Sequence, residues 1–242
     1  MRCSMLFILF LVPPVALADF EMRFSDGSVG AVGDGNVRFG DENEYLIALA
    51  GEDSVIVVSN RERTWMRLNP GAMDAVQAQM EAQMQQMLAA MPPEQRAMVE
   101  QQMGQMMPQL GAQDRAPSTV TMTGSDRSVA GYDCSEAEVR DGNGSIEQIV
   151  CIATPDELGV DDDDFDTLAS AMRRMADIAS MTPSADPQMD FVELGGIPIS
   201  TRESAYGANS ELVSVDTGSV PSSLFEVPDG YRELSMQDMM RQ

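Results

Sequence analysis

Apolar and polar residues alternate with two different periods along this chain. From Phe20 to Leu68, short apolar runs are separated by turn residues: Phe20–Phe24, Asn36–Phe39, Tyr45–Ala50, Ser54–Val58 and Thr64–Leu68. Ser25-Asp26-Gly27, Asp34-Gly35-Asn36 and Gly51-Glu52-Asp53 punctuate them, and Thr64-Trp65-Met66-Arg67-Leu68 alternates residue by residue. This spacing predicts an antiparallel meander.

The period then lengthens. Asn69-Pro70 is a helix start, with Asn as the cap and Pro at the first helical position. Met73, Val76, Met80, Met84, Met87 and Met91 follow at steps of three and four, an apolar stripe on a background of Gln, Glu and Ala. Pro92-Pro93 must break that helix, because proline lacks an N–H and clashes with the preceding turn. A second helix through Met98, Val99, Met103, Met106 and Met107 ends at Pro108 and Gly111. The pattern predicts a helical insertion at 70–110.

Strands are predicted again at Thr119–Thr123, Ser128–Gly131, Tyr132–Arg140 and Ser145–Thr154. Asp161–Asp164 leads into a further amphipathic helix, near 163–181, with Phe165, Leu168, Met172, Met175 and Ile178 on one face. The last third returns to β runs at Met189–Leu194, Ile197–Ala205, Ser210–Val215 and Leu224–Val227.

One apolar run has neither period. Met5–Val12 follows Arg2, ends at Pro13-Pro14 and precedes Ala16-Leu17-Ala18, a small-x-small cleavage site. The segment 1–18 therefore reads as a cleaved signal peptide, with cleavage between Ala18 and Asp19. It is too short to span a bilayer as a helix. A periplasmic or secreted protein follows, folded as a single domain over 19–242 and not membrane-spanning after cleavage.

Charge and composition narrow the chemistry. The net charge is −24, and all 15 basic residues are Arg. Self-repulsion on that scale argues against nucleic acid or anionic lipid surfaces as partners. With no His and no Lys, Ser-His-Asp triads, His-ligated metals and Schiff-base chemistry are excluded. Carboxylates are abundant, but no spacing singles out a catalytic pair. We expect a non-catalytic protein with no cofactor and no specific metal site.

Three features have both a plain and a functional reading. If Gly142-Asn143 is a two-residue turn, Cys134 and Cys151 stand directly opposite each other on a non-hydrogen-bonded rung, where a disulfide fits. The methionine stripe is either core filling or an adaptable apolar surface; Cu(I) binding by thioethers is the remaining alternative. Asp161–Asp164 fails the spacing of a calcium loop and reads as a helix-capping run.

Leu194-Gly195-Gly196-Ile197-Pro198-Ile199 and Val220-Pro221-Ser222-Ser223-Leu224-Phe225-Glu226-Val227-Pro228-Asp229-Gly230-Tyr231 resemble a family of bacterial exported proteins of unknown function. Pro92-Pro93-Glu94-Gln95-Arg96 and Ala130-Gly131-Tyr132-Asp133-Cys134 are similar to it too. The Leu-Phe-Glu-Val-Pro-x-Gly-Tyr ending is also similar to LolA-like periplasmic lipoprotein carriers. That resemblance implies an α+β fold: a curved antiparallel half-barrel with Met-rich helices on its concave face. It implies a lipid or lipoprotein ligand in an apolar cup, and the methionine stripes on the predicted helices supply Met80, Met84, Met87, Met91, Met98, Met172 and Met175 as candidate contacts. The alternative is a protein-interaction or structural module that docks an envelope partner through the Met-rich hairpin.

Overall fold

The computed structural model describes residues 19–69, 118–180, 194–203 and 209–235, together with Gly71, Ala82, residues 85–87 and Asp238. The N-terminal part is a meander of β1 (Phe20–Phe24), β2 (Val29–Gly33), β3 (Asn36–Gly40), β4 (Glu44–Ala48), β5 (Val55–Ser59) and β6 (Thr64–Leu68). A second set follows: β7 (Thr119–Val129), β8 (Tyr132–Arg140), β9 (Ile146–Ala153), β10 (Ile197–Glu203) and β11 (Asn209–Asp216). Between β9 and β10 stand a single turn, α1 (Pro155–Leu158), and a long helix, α2 (Asp162–Ser180). A 3-10 turn at Ser222–Phe225 and a short β12 (Arg232–Glu233) close the chain.

All the strands join one sheet in the order β12-β6-β5-β4-β3-β2-β1-β11-β10-β9-β8-β7. Every pairing is antiparallel except β12 with β6. The sheet is curved and unclosed: β12 and β7 are its two ends. The two meanders are fused where β1 lies beside β11.

Alternation along each strand gives the sheet two apolar faces. On one face, Phe20, Val32, Val37, Ala48 and Val55 pair strand to strand as a buried row. Leu168, Ala171, Met175 and Ile178 of α2 join the same cluster, and Arg174 donates to the Leu49 carbonyl at 3.1 Å and to the Glu52 carbonyl. On the other face Ala31, Tyr45, Ile47, Ile56 and Val58 are covered by Phe225, Val220, Leu224 and Tyr231. The C-terminal motif is thus a plug on the face opposite α2. Its Leu224 to Val227 run was expected as a strand; it is a 3-10 turn that drives Phe225 against Gly33, where a Cβ would lie 3.0 Å from the ring.

β2 was not expected from the sequence, because Val29-Gly30-Ala31-Val32-Gly33 carries two glycines, which weaken a strand. Both have neighbours that need the space: Phe225 over Gly33, and Met22 and Phe39 beside Gly30. The two predicted runs at Thr119–Thr123 and Ser128–Gly131 are one strand, β7, interrupted by a bulge between Met122 and Asp126.

The Cys134–Cys151 disulfide is formed, but the register behind the expectation is corrected. The loop is wider than two residues: the Asp141 N–H donates to the Ser145 carbonyl at 2.9 Å. A bulge between Val139 and Arg140 shifts the pairing further, so Glu136 faces Cys151. Cys134 lies two residues along on the same face, and strand twist brings the two Cα atoms to 5.5 Å, within disulfide reach.

Candidate functional site

Helix α2 covers only part of its face of the sheet. The buried row that ends at Val55 lies under it. Two residues further along each strand, roughly 7 Å away, a second apolar row runs across six strands: Met22, Gly30, Phe39, Leu46, Val57 and Met66. Met22 is buried, but Phe39 is 37% exposed and Leu46, Val57 and Met66 are half-buried. This is an apolar shelf that α2 leaves partly open.

Phe39 and Leu46 form part of the floor of an open pocket of about 590 Å³, with Asp26, Ser28, Asp41 and Glu44 among its walls. Gly40 shapes it. Its φ is +139°, and a Cβ there would sit 2.4 Å from the Glu44 carbonyl oxygen. Only glycine lets the 41–44 turn fold back so tightly.

The rim carboxylates are held by their own turns. Asp41 Oδ1 accepts from the N–H groups of Asn43 (2.7 Å) and Glu44 (2.8 Å), and these bonds keep its carboxyl below the usual range. Burial pushes Asp26 up, but the Ser28 hydroxyl (2.7 Å), its N–H (2.9 Å) and a side-chain bond from Ser210 outweigh it, and the net shift is downward. Both groups are ionised at neutral pH.

A polar network lies on the same face in the other half of the sheet. Arg202 Nη2 is 3.0 Å from Glu136 Oε2, Arg127 reaches Glu136 at 3.9 Å and Glu211 at 3.5 Å, and the Ser200 hydroxyl is 3.4 Å from Glu211 Oε1. Ser200 is 2% exposed and pairs with Glu211 on one side and Cys151 on the other. At the start of α2, burial and the charges of Asp161, Asp19 and Asp163 push the Asp164 carboxyl up to about 6. Asp19 itself is buried, accepting from the Asp34 and Val220 N–H groups at 3.3 and 3.1 Å.

The methionines divide. Met175 is buried in the core and Met172 packs half-buried against it. Met87 is helical and 61% exposed. Met80, Met84, Met91 and Met98 lie outside the described residues, as does most of the 70–110 insertion, of which Gly71, Ala82 and residues 85–87 are helical. Sequence reading missed the shelf residues Phe39, Leu46, Val57 and Met66. Their alternation was visible, but not which face α2 would leave open.

The profile of a domain of unknown function, DUF4412, matches residues 46–231. The chain belongs to this family. The DUF4412 match runs from β4 to Tyr231, so it contains α2, the disulfide and the C-terminal plug, whereas Phe39 and the Asp26 and Asp41 rim lie before it. No curated protein matches the chain. Two solved structures of PNGF-II align with 93% of it: one in space group C2, at 11% identity and a TM-score of 0.42, and one in P21, at 9% and 0.40. This chain spans 32% of the length of each. Among the described residues, no helix is long and apolar enough to cross a membrane.

Proposed function

We propose that this DUF4412 protein is a non-catalytic, exported binding protein that holds a hydrophobic ligand on the face of the sheet carrying α2. The supporting observation is the apolar row through Phe39, Leu46, Val57 and Met66, which lies beside α2 and is only partly covered. Folding would ordinarily bury such a row, and an accessible apolar concavity with polar walls is the usual form of a small-molecule site. Met66 adds a side chain that adapts to the shape of an occupant. The reading places the protein in the periplasm, functionally akin to the LolA-like carriers, with a lipid or the acyl part of a lipoprotein as ligand.

Native mass spectrometry of the protein recovered gently from the cell envelope tests this. A lipid-mass adduct that disappears in Phe39→Ala and Leu46→Ala supports it. A ligand-free mass, together with no uptake of added long-chain amphiphiles, sinks it.

A further inference from the structure

The walls of the pocket say more about the ligand than its floor does. Asp26, Asp41 and Glu44 stand around the mouth, with Phe39 and Leu46 below. In Asp26 and Asp41, Oδ1 serves the turn in the bonds described above, and the Asp26 carboxylate also takes a side-chain hydrogen bond from Ser210, so both stay charged at the mouth. Arg61 is the cation whose charge reaches Asp41. Arg38 is the second guanidinium nearby, stacked 4.0 Å over the ring of Tyr45 in the pocket lining. Among the described residues, three carboxylates of the mouth thus outnumber these two guanidiniums, in a chain whose overall charge is −24. An anionic head group would be repelled at this mouth, and a cationic one attracted.

From the rim, the floor continues as the shelf from Phe39 through Leu46 and Val57 to Met66. Three strand spacings make that path about 14 Å long, enough to lay out a long alkyl chain. The pocket of about 590 Å³ is shallow and open to solvent, so an occupant would lie along the shelf with its head group at the rim.

We propose that the pocket takes a small cationic amphiphile, with its ammonium group among Asp26, Asp41 and Glu44 and its alkyl chain along Phe39, Leu46, Val57 and Met66. The inference rests on the hydrophobic-ligand reading above and names the chemical class of that ligand. It separates the protein from carriers of anionic lipids, whose head groups this rim would exclude.

Three probes of equal chain length test it: laurylammonium, laurate and lauryl maltoside, each titrated below its micelle concentration at low and at physiological salt. Laurylammonium should bind about tenfold more tightly than laurate, with the gap narrowing as salt screens the rim. Glu44→Gln, which leaves the Asp26 and Asp41 turn bonds in place, should reduce the preference several-fold. Glu157→Gln removes the same charge from α1 and should not change it, which separates the rim from the general acidity of the chain. Equal or tighter binding of laurate, or the same loss of preference in both variants, overturns this inference and leaves the hydrophobic-ligand reading standing. Failure of all three probes to bind overturns both.

Discussion

Arg127 in β7 and Glu211 in β11 lie 3.5 Å apart, Nη2 to Oε1, although β8, β9 and β10 separate their strands in the sheet. Across a flat sheet those strands would be about 19 Å apart. The side chains meet because this half of the sheet bends toward the face that carries α2, Cys134 and Cys151. The same bend gathers Glu136, Arg202 and Ser200 into the network.

Both partners are substantially exposed, at 32% and 46% for their side chains, so the pair contributes modestly. Arg127→Ala should cost at most about 1 kcal/mol, or about 2–4 °C in Tm for a chain of this size. Thermal melts at low and high salt check this: the deficit should shrink as salt rises.

The disulfide matters more. It closes a loop with a sequence separation of 17, for which chain-entropy arguments give about 3 kcal/mol. Denaturant unfolding with and without reductant should show a lower midpoint after reduction. Non-reducing mass measurement should find the oxidised form, and free-thiol labelling of Cys134 in the native protein would contradict the pairing.

Phe225 is 6% exposed and wedged over Gly33. Phe225→Ala opens the plug and should cost about 3–5 kcal/mol. Binding at the pocket lies on the opposite face and should survive wherever the variant remains folded. An unchanged midpoint of chemical unfolding would show that the motif is not structural.

Gly40→Ala tests the turn that forms the pocket wall. A Cβ at Gly40 would collide with the Glu44 carbonyl, at a φ of +139° that side chains resist. The expected cost is about 1–3 kcal/mol, accompanied by loss of probe binding. Circular dichroism melts and amphiphile titration of the same variant read the two effects separately.

Asp164 gives a pH dependence with a definite sign. Its folded carboxyl is raised from 3.8 to about 6 by burial first, and then by Asp161, Asp19 and Asp163. A raised acid binds its proton more readily folded than unfolded. Its stabilising contribution is therefore full below the unfolded value and lost as pH rises through about 6. Asp164→Asn should raise Tm at neutral pH and have little effect near pH 4; Tm measured across that window, variant against parent, checks it.

Much of the fold is legible along the chain. The meander from β3 to β6, the β8–β9 pair and α2 follow from short-range periods of two and of three to four, set by one strand or one helix burying one face. The disulfide partners were legible too, since Cys134 and Cys151 flank a single turn in one hairpin. Their register was not, because the bulge at Val139 and Arg140 leaves no mark that distinguishes it from regular pairing. β2 was hidden by Gly30 and Gly33, whose lack of side chains looks unfavourable until Met22, Phe39 and Phe225 fill the space.

What the sequence determined by itself was which residues alternate, which glycines and aspartates turn the chain, and the excess of negative charge. Local backbone preference and local burial are enough for these. The tertiary structure decided the rest: that β1 joins β11, that α2 covers the Phe20–Val55 row and leaves Phe39, Leu46, Val57 and Met66 partly open, and that Asp26, Asp41 and Glu44 ring one pocket. Those relationships depend on contacts between segments far apart in the chain, and no local period encodes which strand will lie beside which.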